Sequence, residues 1–250
     1  MSPDEEILKL LKSFAPDVTN LLDRAGYFSL DPLMPKENIA KAIGFQRGGR
    51  LYRQVLKASL EKNDKIWPIV IDEYSLREFK AGAREVAKSL NIPYSQWDWN
   101  AAAQDYFEKD GLAKVKLLTQ TDIDSIRNRV QYDFGLNPKA FAERYAESYS
   151  CSEARLERIK RSETHSAAQA GGQEFALGAD CQFKQWICTE IDPWPRPSHR
   201  AVWYEIQPID QPFSNGQMWP QDPNCRCYLL YFIDQDHVDQ SAKGPGIKDK

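Results

Sequence analysis

The sequence changes its periodicity between residues 152 and 188, and this change decides the fold class. Residues 152–178 read SEARLERIKRSETHSAAQAGGQEFALG. Their small and apolar residues recur at helical spacing on one face, which also carries the carboxylate of Glu163 and ends at Gly178. Residues 183–188 read FKQWIC and alternate with a period of two. The segment therefore predicts a long helix that is followed by a strand.

The sequence on either side extends this pattern. Residues 225–232 read CRCYLLYF and alternate again, which predicts a second strand. Upstream, a helical stripe ends at Gly135, and Asn137–Pro138 is typical of the start of the next helix. Residues 1–115 resemble a series of short helices, although residues 65–71 are β-like and contain Pro68, which restricts them to an edge strand or a connector.

These patterns predict an α+β fold with a helical N-terminal domain. A small module with three helices and a short antiparallel sheet follows it. The predicted boundaries are residues 1–115 for the helical domain, 116–234 for the module, and 235–250 for a polar, disordered tail.

Composition and charge exclude several classes of protein. The 250 residues carry 33 Lys and Arg against 36 Asp and Glu, a net charge of −3, so the whole-surface positive field of a DNA-coating protein is absent. The longest apolar run near the end of the sequence, residues 228–233, is the size of a strand, and no membrane-spanning helix is expected. The acidic start, MSPDEE, predicts no signal peptide.

The five cysteines all lie at or after Cys151. In a cytosolic setting they are expected to be free thiols or metal ligands rather than parts of a disulfide framework. Cys225 and Cys227 form a Cys-x-Cys pair, which points both sulfur atoms to the same face if the segment is a strand.

Polar residues in the last hundred positions form three candidate groups: residues 161–165, residues 192–199 and residues 222–227. In the structural interpretation, Glu163 forms an ion pair with Arg196 or Arg226. Metal ligation and acid/base chemistry are the two functional alternatives. The predicted structural cluster consists of Arg161, Glu163, Asp192, Arg196, His199, Asn224 and Arg226.

A local group of basic residues lies on the helix predicted after Ser152: Arg155, Arg158, Lys160 and Arg161. Such a group could contact DNA phosphates while the whole protein stays acidic. The alternative is a solvated helix face on which Glu153 and Glu157 are the partners.

The order of these motifs resembles the phage Mu F-like minor head protein, or head morphogenesis, family. The helix segment RSET at residues 161–164, Trp186 on a strand, the Asp192/Arg196/His199 segment and the sequence PNCRC at residues 223–227 occur in the order found in that family. The resemblance covers residues 118–234, whereas residues 1–115 match no motif of the family.

The resemblance implies a structural component of the virion that contributes to head assembly and to the packaging or ejection of the genome. The implied partners are the phage portal protein, capsid or scaffolding proteins, and double-stranded DNA bound without sequence specificity; no membrane is implied. The implied location is the capsid interior, with the host cytoplasm during assembly.

An enzyme is the competing interpretation. Members of the family can be fused to toxin-like effector domains, and Glu163, His165, His199 and Arg226 could serve a nuclease. The sequence has no glycine-rich nucleotide loop, His-Glu-x-x-His helix or Gly-x-Ser-x-Gly elbow. A non-enzymatic protein without catalytic residues is therefore expected.

A metal-free module with reduced thiols is expected as well. Some relatives have Cys-Pro-x-Cys where this chain has Arg196–His199, so their four-cysteine zinc site is not expected here. Cys225, Cys227 and His199 are the remaining candidate zinc ligands, and three ligands are fewer than a closed structural zinc site requires. A further ligand would have to be recruited from Cys188 or His165, and the sequence has no second Cys-x-x-Cys motif to supply one. No cofactor is therefore predicted.

Overall fold

A computed structural model describes residues 2–94, 98–189, 195–236 and 238 of the chain. Single 3₁₀ turns lie at Tyr27–Ser29 and Tyr149–Cys151, and Ile71–Ser75 is π-helical. The α-helices are α1 (Pro3–Arg24), α2 (Lys36–Ala42), α3 (Arg50–Val70), α4 (Leu76–Leu90), α5 (Trp99–Tyr132), α6 (Pro138–Ala146), α7 (Glu153–Gly178) and α8 (Pro197–Arg200).

Three strands form a small antiparallel sheet: β1 (Phe183–Ile187), β2 (Ile206–Pro208) and β3 (Tyr228–Phe232). Their order is β2-β1-β3, so β1 is central. In the register of β1 with β3, Ile187 pairs with Tyr228 at the end of the ladder. The predicted α+β class is thus confirmed.

The chain divides into two compact units, and each is discontinuous in sequence. The first unit comprises Met1–Ile71 and Glu108–Glu157, and the second comprises Asp72–Phe107 and Arg158–Lys250. The division falls within α5 and α7. The boundary expected near residue 115 marks where the family motifs begin, and it stays a prediction.

The core of the first unit collects apolar residues from α1, α3, α5 and α6. Phe14 of α1, Val55 of α3, Ile126 of α5 and Phe141 of α6 are each at most 1% exposed and belong to one cluster. The Tyr27 hydroxyl donates to the carbonyl of Val130 on α5, at 3.2 Å. These contacts bury the helical stripe that the sequence predicted before Gly135.

The second unit is built on a close backbone contact between α4 and α7. A Cβ atom added to Gly171 would lie 1.9 Å from the carbonyl oxygen of Phe79, and one added to Gly82 would lie 1.9 Å from that of Ala168. The absence of side chains at both positions therefore lets the helices meet. A second apolar cluster surrounds Trp186 of β1, which is fully buried.

The structure corrects several expectations. Residues 65–71 are not β-like but lie at the end of α3 and the start of the π-helical turn, because Ile66, Trp67 and Val70 share a buried helical face. Cys225 and Cys227 precede β3 instead of lying in it. Val238 is 3% exposed, so packed chain continues beyond residue 234; residues 239–250 lie outside the described residues.

Candidate metal centre and polar network

A tight turn positions the Cys-x-Cys pair. Asn224 adopts a left-handed backbone conformation with φ of 59°, which Asn tolerates better than most residues. The turn is closed by Cys225 N–H, which donates to the Asp222 carbonyl at 3.0 Å. Two residues of α7 anchor it: Ser162 Oγ accepts from Asn224 N–H at 3.1 Å, and Arg161 Nε donates to Asn224 Oδ1 at 3.0 Å. Helix α7 therefore fixes where the cysteines lie.

The short helix α8 carries His199 into the same place. Pro197 begins this helix, and the His199 side chain is buried against the edge of the Trp186 ring, with 5.0 Å between ring centroids. Nε2 of His199 lies 2.8 Å from an Asp222 carboxylate oxygen. A carboxylate only accepts, so Nε2 donates in this contact, and Nδ1 is the ring nitrogen left to face other partners.

Sulfur atoms surround the Nδ1 atom of His199. It lies 3.3 Å from Sγ of Cys225 and 3.6 Å from Sγ of Cys227. The ligand atoms of these three buried residues all lie within 4.8 Å of one another. The structure thus brings together the three residues that the sequence named as zinc candidates, although no strand holds the cysteines.

A third thiol, Cys188, which the sequence named only as a ligand that a zinc site could recruit, adjoins this group. Cys188 directly follows β1 and Cys227 directly precedes β3, so they occupy the next position after the Ile187–Tyr228 pair. Their sulfur atoms lie 3.5 Å apart. The register of two strands that are 40 residues apart could not be read from local periodicity, but the alternation that predicted both strands was the available signal.

The thiols differ in their acidity. Hydrogen bonding from Cys225, together with contacts from His199 and Cys188, lowers the pKa of Cys227 below the ordinary thiol value, although burial opposes this. The same Cys225–Cys227 contact and burial raise the pKa of Cys225, and burial raises that of Cys188. Cys227 is therefore the thiol that loses its proton most readily.

Asp222 joins the predicted polar cluster to this centre. Besides His199, it faces Arg196, whose Nη1 lies 3.6 Å from the carboxylate and whose Nη2 donates to the Pro223 carbonyl. The sequence analysis noted Asp222 within the third candidate group but did not assign it a role. Asp192, which it did assign to the cluster, lies outside the described residues.

The other cluster members have different settings. Glu163 is half-buried on α7, and its predicted ion pair with Arg196 or Arg226 stays a prediction. Arg226 is exposed. Arg196 and Arg226 both line a cavity of about 290 Å³ that His199, Cys225 and Cys227 also border. Two guanidinium groups thus flank the opening to the sulfur atoms.

His165 lies on α7 near this centre. The backbone of Cys227 hydrogen-bonds to it, but burial lowers its pKa overall. Its Nε2 atom is buried without a hydrogen-bond partner among the described residues. These surroundings favour the neutral imidazole.

One predicted DNA-contacting residue is wrong. Arg155 is 2% exposed and lies inside the first unit, where it donates to the carbonyls of Ser150 at 2.9 Å and Leu118 at 3.0 Å and pairs with Asp122. A guanidinium held by these acceptors is not available to phosphate. Arg158 and Arg161 are exposed, as predicted for a solvated face.

Asp122 is the centre of a buried network that the sequence analysis missed. Its carboxylate accepts from Lys62 Nζ at 2.7 Å and Asn63 Nδ2 at 3.0 Å, and also from Ser59 and Arg155. Burial alone would raise the pKa of Asp122, but the Lys62 and Arg155 cations hold it below its ordinary value. The network belongs to the first unit and satisfies its buried charges.

No helix among the described residues combines the length and the hydropathy that crossing a membrane requires.

Comparisons with known proteins identify one family. A search of curated proteins and a search of solved structures each gave no match. A family model described as Phage Mu protein F like protein matches residues 126–230, which include α6, α7, the three strands and the cysteine–histidine centre. The family resemblance predicted from the ordered motifs is therefore confirmed, and residues 126–230 of this chain are similar to the Phage Mu protein F like family.

Proposed function

We infer that this protein is a phage minor head protein that acts in head morphogenesis. The observation that carries this inference is the match of residues 126–230 to the Phage Mu protein F-like family model. Two of the segments that carried the resemblance, residues 161–164 of α7 and the turn at residues 222–227, contact each other in the second unit through Arg161, Ser162 and Asn224. This agreement supports a role that depends on the folded module as a whole.

The proposed place of action is the capsid interior, next to the portal, with the host cytoplasm as the place of assembly. The proposed partners are the portal protein and capsid or scaffolding proteins. Exposed apolar side chains on the first unit are compatible with protein contacts: Leu33 is 89% exposed and Tyr132 is 75% exposed.

A nuclease that uses Glu163, His199 and Arg226 has less support. One ring nitrogen of His199 faces Asp222 and the other faces two sulfur atoms, so both are engaged inside the protein. A general acid or base needs a nitrogen within hydrogen-bond reach of a substrate atom. The contacts of His199 instead suit a role in holding the module together.

The test is mass spectrometry of purified phage particles together with reciprocal co-purification of the full-length chain and the portal protein. We expect the chain in particles at a small number of copies and recovery of the portal protein with it. A bait consisting of the major capsid protein alone is the control for non-specific capture. Absence of the chain from assembled heads would contradict the proposed function.

A further inference from the structure

We propose that this protein binds one zinc ion in a tetrahedral site formed by Cys188, His199, Cys225 and Cys227. The site would join the end of β1, helix α8 and the turn before β3. This inference concerns the folded module and does not depend on where the protein acts. It departs from the expectation of a metal-free module, which rested on having only three ligands.

The spacing of the ligand atoms fits such a site. With Zn–S of ~2.3 Å and Zn–N of ~2.0–2.1 Å, tetrahedral geometry separates sulfur from nitrogen by about 3.6 Å and sulfur from sulfur by about 3.8 Å. His199 Nδ1 lies 3.3 and 3.6 Å from the sulfur atoms of Cys225 and Cys227. The Cys188 and Cys227 sulfur atoms are 3.5 Å apart. These three separations are therefore close to their values in a tetrahedral zinc site.

The Asp222 carboxylate provides a second, independent indication. Metal-bound histidines commonly donate their other ring N–H to a carboxylate, which fixes the tautomer and the ring orientation. Nε2 of His199 is 2.8 Å from Asp222, and the ring packs against Trp186. Nδ1 is thereby the ring nitrogen that faces the cysteines, and metal binding there would use its deprotonated form.

Cys188 supplies the fourth ligand. Its sulfur touches Cys227 and lies 3.4 Å from the His199 carbonyl oxygen, outside the three-atom group in which all separations are below 4.8 Å. Rotation of this one side chain toward the ion completes the tetrahedron. Three thiolates with an imidazole favour zinc over hard cations such as magnesium or calcium.

Cobalt substitution of the full-length protein tests this site. Zinc is removed by unfolding in chelator, and refolding with Co²⁺ is followed by absorption spectroscopy. We expect the intense visible bands of tetrahedral cobalt and a near-ultraviolet thiolate-to-cobalt band. Cys188→Ser should lose about one third of the thiolate band, because one of three thiolates is removed. Zinc added afterwards should bleach both signals.

Two further variants keep the result interpretable. His199→Cys should retain tetrahedral cobalt and raise the thiolate band by about one third, a gain that a misfolded protein cannot give. Cys181→Ser removes a buried thiol of the same apolar cluster and should leave the spectrum unchanged. A spectrum without tetrahedral bands, one unaffected by Cys188→Ser, or a disulfide between Cys188 and Cys227 would each overturn the four-ligand site.

Discussion

At the scale of single residues, Asp122 balances two buried cations in the first unit. Lys62 and Arg155 are 7% and 2% exposed, and both contact its carboxylate. Burial lowers the pKa of Lys62 to about 8 even though Asp122 opposes the shift. Removing one partner of a buried ion pair leaves an uncompensated charge, and this costs far more stability than replacing the whole pair with apolar side chains. The network is therefore sensitive to loss of the carboxylate.

Replacing Asp122 with Asn should lower the free energy of unfolding by about 3–5 kcal/mol, because two cations would remain buried without the negative charge. Urea denaturation of the full-length protein measures this. Asp124→Asn is the matched control on the same helix, since Asp124 forms an exposed pair with Arg127 and should change stability by less than ~1 kcal/mol. Equal effects of the two variants would contradict the proposed importance of the buried network.

Lys184 of β1 gives a prediction about pH. Its side chain is fully buried, and Nζ donates to the Met218 carbonyl at 3.0 Å. Burial lowers the pKa of Lys184 from 10.5 to about 8, and Asp210 offsets this only in part. Between pH 8 and 10.5 the unfolded chain holds a proton that the native lysine has lost. Raising the pH across this window therefore stabilises the native state.

The variant Lys184→Met should lack this gain. The stability of the wild type relative to Lys184→Met should rise by at most ~3 kcal/mol as the pH increases from 8 to 10.5. Denaturant unfolding at several pH values gives the difference directly. Lys57→Met, at an exposed lysine, should show no such trend. Parallel pH curves for wild type and Lys184→Met would show that the lysine titrates normally.

At the scale of secondary-structure elements, the second unit depends on how closely α4 and α7 approach. Gly171 is the critical position, because a Cβ atom there meets the backbone carbonyl of Phe79, which cannot turn aside. At the adjacent Gly172, the first atom met is the Cγ2 methyl of Val86, at 3.0 Å. A side-chain methyl can adjust more easily than a backbone carbonyl.

Gly171→Ala should therefore destabilise the protein by about 1–3 kcal/mol, despite the ~1 kcal/mol that alanine gains over glycine within a helix. Gly172→Ala has the same gain in helix propensity and should be clearly less damaging. Thermal unfolding of both variants compares them under one condition. If Gly171→Ala were as stable as the wild type, the helices would not pack at the described distance.

The helices and strands show which structural features the sequence could predict. Helix α7 was predicted to follow Ser152 and end at Gly178, and the structure places it at Glu153–Gly178, because its apolar spacing is local information. The pairing of Cys188 with Cys227 and of Lys62 with Asp122 depends on contacts across 39 and 60 residues. Periodicity contains no such distances, so the choice of a fourth ligand stayed open and the buried network was missed.

At the scale of the whole molecule, an overall charge of −3 limits any contact with DNA to a local site. Burial of Arg155 reduces the predicted basic group to three residues of α7: Arg158, Lys160 and Arg161. Arg158 and Arg161 are exposed, and the Lys160 ammonium lies 5.3 Å from the Tyr74 ring centroid. At most three phosphates can then be neutralised by this group.

Binding to duplex DNA is therefore expected to be weak and independent of sequence. The logarithm of affinity should fall against the logarithm of salt concentration with a slope no steeper than about −2.7, which corresponds to three phosphate contacts. Fluorescence anisotropy between low and physiological salt measures the slope.

Changing Arg158, Lys160 and Arg161 of α7 to Gln should abolish DNA binding. An equal charge change at exposed positions on α1 and α3 should leave DNA binding in place. That control combines Lys9→Gln, Lys12→Gln and Lys57→Gln. Equal losses in both triple variants would assign binding to overall charge, and a steeper slope would require further contacts beyond α7.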